Sequence, residues 1–268
     1  MRAYRYLEQN CDLGPRFSGS PGMRAQQEML QKHFEQLGGK VTLQELTARH
    51  PLGGTVPMAN MIIEWHPERK ERILLCAHYD TRPLPDRDPD PQRRRDGIFI
   101  GANDGASGVA ALMELAHLMP DLDSRYGVDF VLFDGEELVY VDGRDPYFVG
   151  SEYFAKQYKN NPPPHRYRWG VLLDMIGDRD LQIYQERQSA TWRDTRPLVQ
   201  QIWRRPTHWE STSLSRASNT MCATTTCLCG TSPRFRPATS STSTTPPGIP
   251  KRIRPGSARA LRWRKWDG

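Results

Sequence analysis

Long hydrophobic runs are missing from this sequence: no apolar stretch approaches the roughly 20 residues that a membrane-spanning helix needs. The opening stretch, "MRAYRYLEQNCDLGPRFSG", has no apolar core of the kind an export signal carries, so the expectation is a soluble chain without a visible export signal. Cysteine is scarce and odd in number: the five, Cys11, Cys76, Cys222, Cys227 and Cys229, have no framework spacing and argue against a disulfide scaffold. Hydrophobic residues make up 37% of the chain, which is low but globular, and 268 residues suit one large α/β domain or two small ones. The net charge of +6 is not spread over the chain. From Pro206 onward there are 10 Lys and Arg against 2 Asp and Glu, whereas the preceding part holds 27 against 29. That body has no basic patch interleaved with aromatics, so nucleic acid is not expected as a partner.

What is present reads as alternating strands and helices. In "SPGMRAQQEMLQKHFEQLGG", Ser20 is placed to cap a helix with Pro21 behind it. Met29, Leu30, Phe34 and Leu37 share one face, and Gly38-Gly39 ends the run. "KVTLQEL" alternates as a strand, and "MANMIIEW", "ERILLCAHYD", "GVDFVLFDGEE" and "RWGVLLDMIGD" hold apolar runs of strand length. "GASGVAALMELAHLM" reads as a closely packed helix and "GSEYFAKQY" as the start of another. Strands that are apolar throughout, separated by helices, predict an α/β three-layer sandwich whose mostly parallel, mixed sheet is covered on both faces.

In such sheets ligands bind beyond the carboxyl ends of the strands. That rule gathers the polar residues. One strand ends on His78 and Asp80, another on Asp134, Glu136 and Glu137, a third on Asp174 and Asp178, and Asp104 stands just before a helix. Each has an ordinary reading: Asp104 as a helix cap, His78 as a core histidine bonded to Asp80, Glu136-Glu137 as a solvated loop pair. Asp174 within an apolar run resists one, because an unpaired buried carboxylate is costly. Four coincidences at strand ends are a poorer account than one site, and a histidine among carboxylates with no thiolate is a donor set suited to zinc.

The motifs "AHYDT", "GANDGASG", "FDGEE", Gly150-Ser151 and "LLDMIGD" resemble, in order and spacing, the M28 zinc aminopeptidases and the related glutaminyl-peptide cyclotransferases; the resemblance runs from about Arg5 to Ile202. It implies a zinc-exopeptidase type of fold and a cocatalytic zinc pair bridged by Asp104. His78 and Asp174 would complete one zinc site, and Glu137 would bind the other zinc. Glu136 would act as the catalytic base, and Asp80 would orient His78. The implied reaction is aminopeptidase hydrolysis of peptides with a free N-terminus through a metal-activated water. The alternatives are glutaminyl cyclisation, for which one zinc suffices, on the Asp104/Glu137 side, and an inactive homologue or binding protein. "NDGASG" leans towards the peptidases, while "FDGEE", "LLDMIG" and the insertion "LVYVDGRDPYFV" lean towards the cyclases. The family resemblance also allows a secreted or periplasmic protein if the start is truncated. His117 is expected to be a packed or surface residue, His165 lies in a loop, and Pro85 to Asp96 reads as an exposed loop near the site.

The pattern breaks after about Arg205, which divides the chain into a C-terminally incomplete M28-like domain, 1–205, and a basic tail, 206–268, rich in Ser, Thr, Pro and Arg. A composition of this kind predicts disorder. The resemblance requires one more histidine for the Asp104/Glu137 zinc, and none follows Glu210. A reading-frame shift accounts for this. Permitted codons for Asn219 to Cys229, read one frame over, spell His-Asp-Val-Arg-Asp-Asp-His-Leu-Pro-Leu. Pro247 to Pro250 likewise spell Trp-His-Thr, which resembles the segment that carries the missing ligand.

Overall fold

The computed structural model describes residues 1–179, 181 and 183–204, with the backbone of two short strands farther along. The remainder of the expected 206–268 tail lies outside the described residues. The elements follow in the order α1 (Arg2–Asp12), α2 (Pro21–Gln36), β1 (Lys40–Arg49), β2 (Thr55–Trp65), β3 (Glu71–His78), α3 (Pro91–Asp96), α4 (Ser107–Leu115), β4 (Gly127–Phe133), α5 (Val149–Asn160), β5 (Arg166–Leu172), β6 (Ile183–Tyr184), α6 (Arg187–Thr191), α7 (Arg196–Arg204), β7 (Leu214–Ser215) and β8 (Arg262–Lys265).

The main sheet has the order β1-β2-β4-β3-β5-β8. Its three central strands, β4, β3 and β5, run parallel, and the pairs β1–β2, β2–β4 and β5–β8 are antiparallel. Side chains alternate across β4: Phe130 and Leu132 pack with α2 and α4 through Phe34, Leu30, Leu112 and Met113 on one face. Val131 and Phe133 pack with Phe154 of α5 on the other. All seven residues of β4 are buried, which is why this strand reads as an unbroken apolar run rather than an alternating one. The result is the expected three-layer α/β arrangement with a mixed sheet, but three of its five described strand pairs are antiparallel, so the parallel part is confined to the central strands rather than being most of the sheet.

Local signals behave as their chemistry requires. Ser20 Oγ accepts the Met23 amide at 3.0 Å, with Pro21 as the first helical residue. At the amino ends of the parallel strands, the buried Arg72 forms an ion pair with Asp129 and donates to the carbonyls of His66 (2.8 Å), Trp65 (2.9 Å) and Val128 (3.1 Å). Tyr167 of β5 also donates to Asp129. This network ties β3, β4 and β5 together at one edge and so helps align their carboxyl ends at the other: His78 pairs with Phe133, and Cys76 with Leu172. Among the described residues no helix is long and apolar enough to cross a membrane.

Candidate metal centre

The aligned strand ends deliver their polar residues to one place. His78 is the last residue of β3, with Asp80 two positions on, and Glu136 and Glu137 follow β4. Asp174 follows β5, and Asp104 lies three residues before α4. His78 Nε2 is 3.0 Å from Asp104 Oδ1 and 3.5 Å from Asp174 Oδ1. Donor atoms of His78, Asp104 and Asp174 all lie within 4.8 Å of one another. Asp104 is therefore not the helix cap that its sequence context allows; that position belongs to Ala106. Asp178 lies outside the three-residue group.

Asp80 explains how two adjacent glutamates are held. Its carboxylate accepts the amides of Glu136 at 3.2 Å and Glu137 at 2.8 Å, and Oδ1 also stands 3.5 Å from His78 Nδ1. One buried carboxylate thus fixes the loop that carries both glutamates and faces the imidazole. Glu137 Oε2 makes an ion pair with Arg82. Asp134, which reads from sequence as part of the same acidic cluster, is turned to structural work. It accepts the Ser18 hydroxyl at 2.6 Å and the Ala59 amide at 3.1 Å.

The loops that bear Asp104 and Asp174 are stitched together. Asn103 Oδ1 accepts the Gly177 amide at 2.7 Å, and Ser107 Oγ accepts the Ile176 amide at 3.0 Å while donating to the Asn103 carbonyl at 2.6 Å. Gly105 has φ +98°, and a Cβ there would lie 2.5 Å from the Asp80 carbonyl, so only glycine permits this approach. Met175, directly after Asp174, has φ 51°, an uncommon conformation for a residue with a side chain. Such strain persists where surrounding contacts enforce it, and functional sites are where it collects.

The electrostatics ask for a cation. Burial opposes charge on His78, but the charge of Glu136 and the contacts to Asp104, Asp174 and Asp80 outweigh it and hold the imidazole pKa well above the ordinary value. Glu137 is pushed up to about 7, first by burial and then by the Asp104 charge, against the pull of Arg82 and His78. Five carboxylates converge on one imidazole and one guanidinium, and buried like charges at this density require compensation. Both ring nitrogens of His78 and Oδ1 of Asp174 are buried without a hydrogen bond. Donors about 2.0–2.2 Å from a tetrahedral centre lie roughly 3.3–3.5 Å apart, close to the separations from His78 Nε2. The residues present fit a zinc ion.

The sequence pattern that defines Peptidase family M28 matches residues 60–222. The chain belongs to peptidase family M28. This M28 chain is 47% identical to the glutaminyl cyclase of Fimbriiglobus ruber, whose crystal structure superposes with a TM-score of 0.71 over 76% of this chain and 69% of that one. It is 33% identical to a Zn-dependent exopeptidase from Parabacteroides distasonis, with a TM-score of 0.67 over 75% and 69% of the two chains. It is also 28% identical over 191 residues to the glutaminyl-peptide cyclotransferase of Bos taurus, covering 62% of this chain and 51% of the bovine one. The chain spans about half the length of that curated relative. These neighbours carry the zinc-exopeptidase type of fold expected from the motifs, and the M28 family holds both peptidase and cyclase relatives of this chain.

Nothing in the sequence alone marks Arg82 or Ser107 as part of the site. Ser107 sits inside a recognised motif but reads as a helix-start residue. Arg82, in "HYDTRP", reads as a charged loop residue, and only its burial reveals that it belongs to the site.

Proposed function

We propose that this site closes N-terminal glutamine residues of peptides into pyroglutamate with release of ammonia. The sequence motifs offer it as the alternative to peptide hydrolysis. The observation that carries it is the 47% identity to a bacterial glutaminyl cyclase over 76% of this chain. A single metal suffices for cyclisation, and the resemblance puts it on the Asp104/Glu137 side, where Arg82 engages Glu137.

Zinc would supply a Lewis acid for the substrate's amide carbonyl; by the resemblance Asp104 and Glu137 would hold it, with His78 and Asp174 on the other side of Asp104. The chain's own part is proton transfer and positioning. The substrate α-amine attacks the γ-carboxamide carbon, forming the ring C–N bond, and the amide nitrogen leaves. The proton lost by the amine is the one the leaving nitrogen needs to become ammonia, so one carboxylate that accepts and returns it suffices. Glu136, buried and fixed through its amide to Asp80, has that role. No water takes part, which suits a buried carboxylate.

Aminopeptidase hydrolysis is the second reading. The observation that favours it is that His78, Asp104 and Asp174 are the set the family resemblance implies for one member of a peptidase zinc pair. Zinc stoichiometry followed by parallel assay of a glutaminyl peptide and leucyl-anilide, on this chain and on one with the reading frame restored after about Arg205, tests the two. Ammonia release from the glutaminyl peptide with the anilide left intact is expected. Hydrolysis of the anilide without ring closure would overturn the cyclase reading.

A further inference from the structure

The side chain that links the metal centre to the loops around it is Arg82. It lies four residues beyond β3's final His78 and is buried. All three of its guanidinium nitrogens are committed. Nε forms the ion pair with Glu137 Oε2, Nη1 donates to Asp86 Oδ2 at 2.8 Å, and Nη2 donates to the Tyr147 hydroxyl at 2.7 Å. The guanidinium carbon stands 5.5 Å from the centre of the Tyr147 ring, and Tyr147 in turn donates to Asp142 at 2.8 Å. One planar fork therefore joins a carboxylate of the metal centre to the loop after β3 and to the insertion after β4. A lysine, with one nitrogen on a flexible stem, cannot reproduce three contacts set in a plane.

Resting on the reading of this site as a zinc centre, we infer that Arg82 is a positioning residue. It holds Glu137 by Oε2, leaves Oε1 for a cation on the Asp104 side, and locks the two rim loops in the arrangement that admits the substrate. A carboxylate destined for a metal is commonly fixed by a hydrogen-bonding partner behind it, and loss of such a partner costs metal affinity without removing a ligand. The contacts to Asp86 and Tyr147 extend that hold from the metal to the rim. Both loops meet the metal centre through Arg82, so the same residue bears on metal retention and on the fit of the substrate.

The test is zinc affinity, by competition with a chelator, in the full-length chain and its Arg82→Lys variant, alongside their thermal midpoints. Arg82→Lys is expected to bind zinc about 10–100-fold more weakly while the midpoint stays near that of the parent. The double variant Asp86→Asn/Tyr147→Phe keeps Arg82 and Glu137 but removes the two other tethers. It is expected to lose about three- to tenfold in zinc affinity, in keeping with the modest worth of such hydrogen bonds, and to raise KM for a glutaminyl peptide more than it lowers kcat. Should Arg82→Lys fail to fold, the double variant decides. Zinc affinity within twofold of the parent in a folded Arg82→Lys chain, or in the double variant, overturns the inference. Because the zinc measurement involves no substrate, a frame-restored chain that binds zinc yet closes no glutaminyl peptide refutes the proposed reaction and leaves the role of Arg82 standing.

Discussion

Gly108 offers a direct test of how the fold sets the metal centre. It lies in the first turn of α4, where the helix butts against the ends of two strands. A Cβ added there would lie 2.2 Å from the Leu173 carbonyl oxygen and 2.9 Å from Ala77 Cβ. Those two residues immediately precede Asp174 and His78, and Asp104 lies four residues before Gly108, so Gly108→Ala presses on the supports of all three donors. The carbonyl contact falls roughly 1 Å inside ordinary van der Waals separation. It involves backbone, which cannot rotate away as the tip of a side chain can. Two effects compete. Alanine gains about 0.8–1.0 kcal/mol of helix propensity over glycine, and overpacking costs about 1–3 kcal/mol. With no side chain able to yield at the carbonyl, the cost should prevail. A net loss of about 1–2 kcal/mol in a domain of this size lowers the thermal midpoint by about 2–8 °C. Metal sites tolerate displacements of only about 0.5 Å, so zinc affinity should fall at least tenfold. Differential scanning fluorimetry and chelator competition read the two effects. A higher midpoint with unchanged zinc affinity would mean that α4 has slack against the sheet and that the geometric reasoning is wrong.

Glu136→Gln should retain zinc but lose turnover by about 10²–10⁴-fold, the usual worth of a general base. Glu137→Gln should weaken zinc binding instead, and equal zinc loss in both would show the pair misassigned. Asp134 is pushed up to about 7 by burial and by the charge of Asp80, against the hydrogen bonds from Ser18 and Ala59. Above its unfolded pKa near 4 the folded state then holds the proton that the unfolded state has lost. Its contribution is full below about pH 4 and is lost as pH rises to about 7, so urea titrations of Asp134→Asn should show a shallower decline across that window, and an unchanged slope would refute it. Restoring the reading frame downstream of about Arg205 should return the missing histidine to the Asp104/Glu137 side, raising zinc affinity and turnover; full activity in the chain as it stands would defeat the frameshift account.

Much of this was legible before the coordinates. Apolar runs of strand length locate β2 to β5, because strands buried on both faces leave no room for polar alternation. The rule that ligands gather at strand carboxyl ends brings His78, Asp104 and Asp174 together without any geometry. Asp80 was legible as a partner of His78, but its grip on the amides of Glu136 and Glu137 was not, since it depends on the turn at Gly135. The first helix, Arg2–Asp12, escaped notice because its stretch is strongly polar and lacks a side-chain cap. It is held by tertiary contacts, among them Arg2 to Glu114 at 2.7 Å and Tyr6 to His117 at 2.6 Å. The second of these also accounts for His117 as a packed residue. Arg82 and Arg72 are both long cations buried by folding, and nothing local in a sequence separates an arginine that will be enclosed from one that will be solvated.

The order of the strands has a consequence for how the protein is made. β2 and β3 are neighbours in the chain but not in the sheet, where β4 lies between them. A ribosome therefore releases two strands whose facing edges must wait for the third while α3, α4 and their loops are translated. Until Gly127 to Phe133 emerge, the unpaired amides and carbonyls of those edges, and the apolar faces of Met61, Ile63 and Leu74, stand open to other nascent chains. The wedge strand that leads into Glu136 and Glu137 is thus also the one that closes the gap between β2 and β3. Codons that slow decoding just before Gly127 would lengthen the exposed interval and raise the demand for chaperones, with no change in the finished molecule.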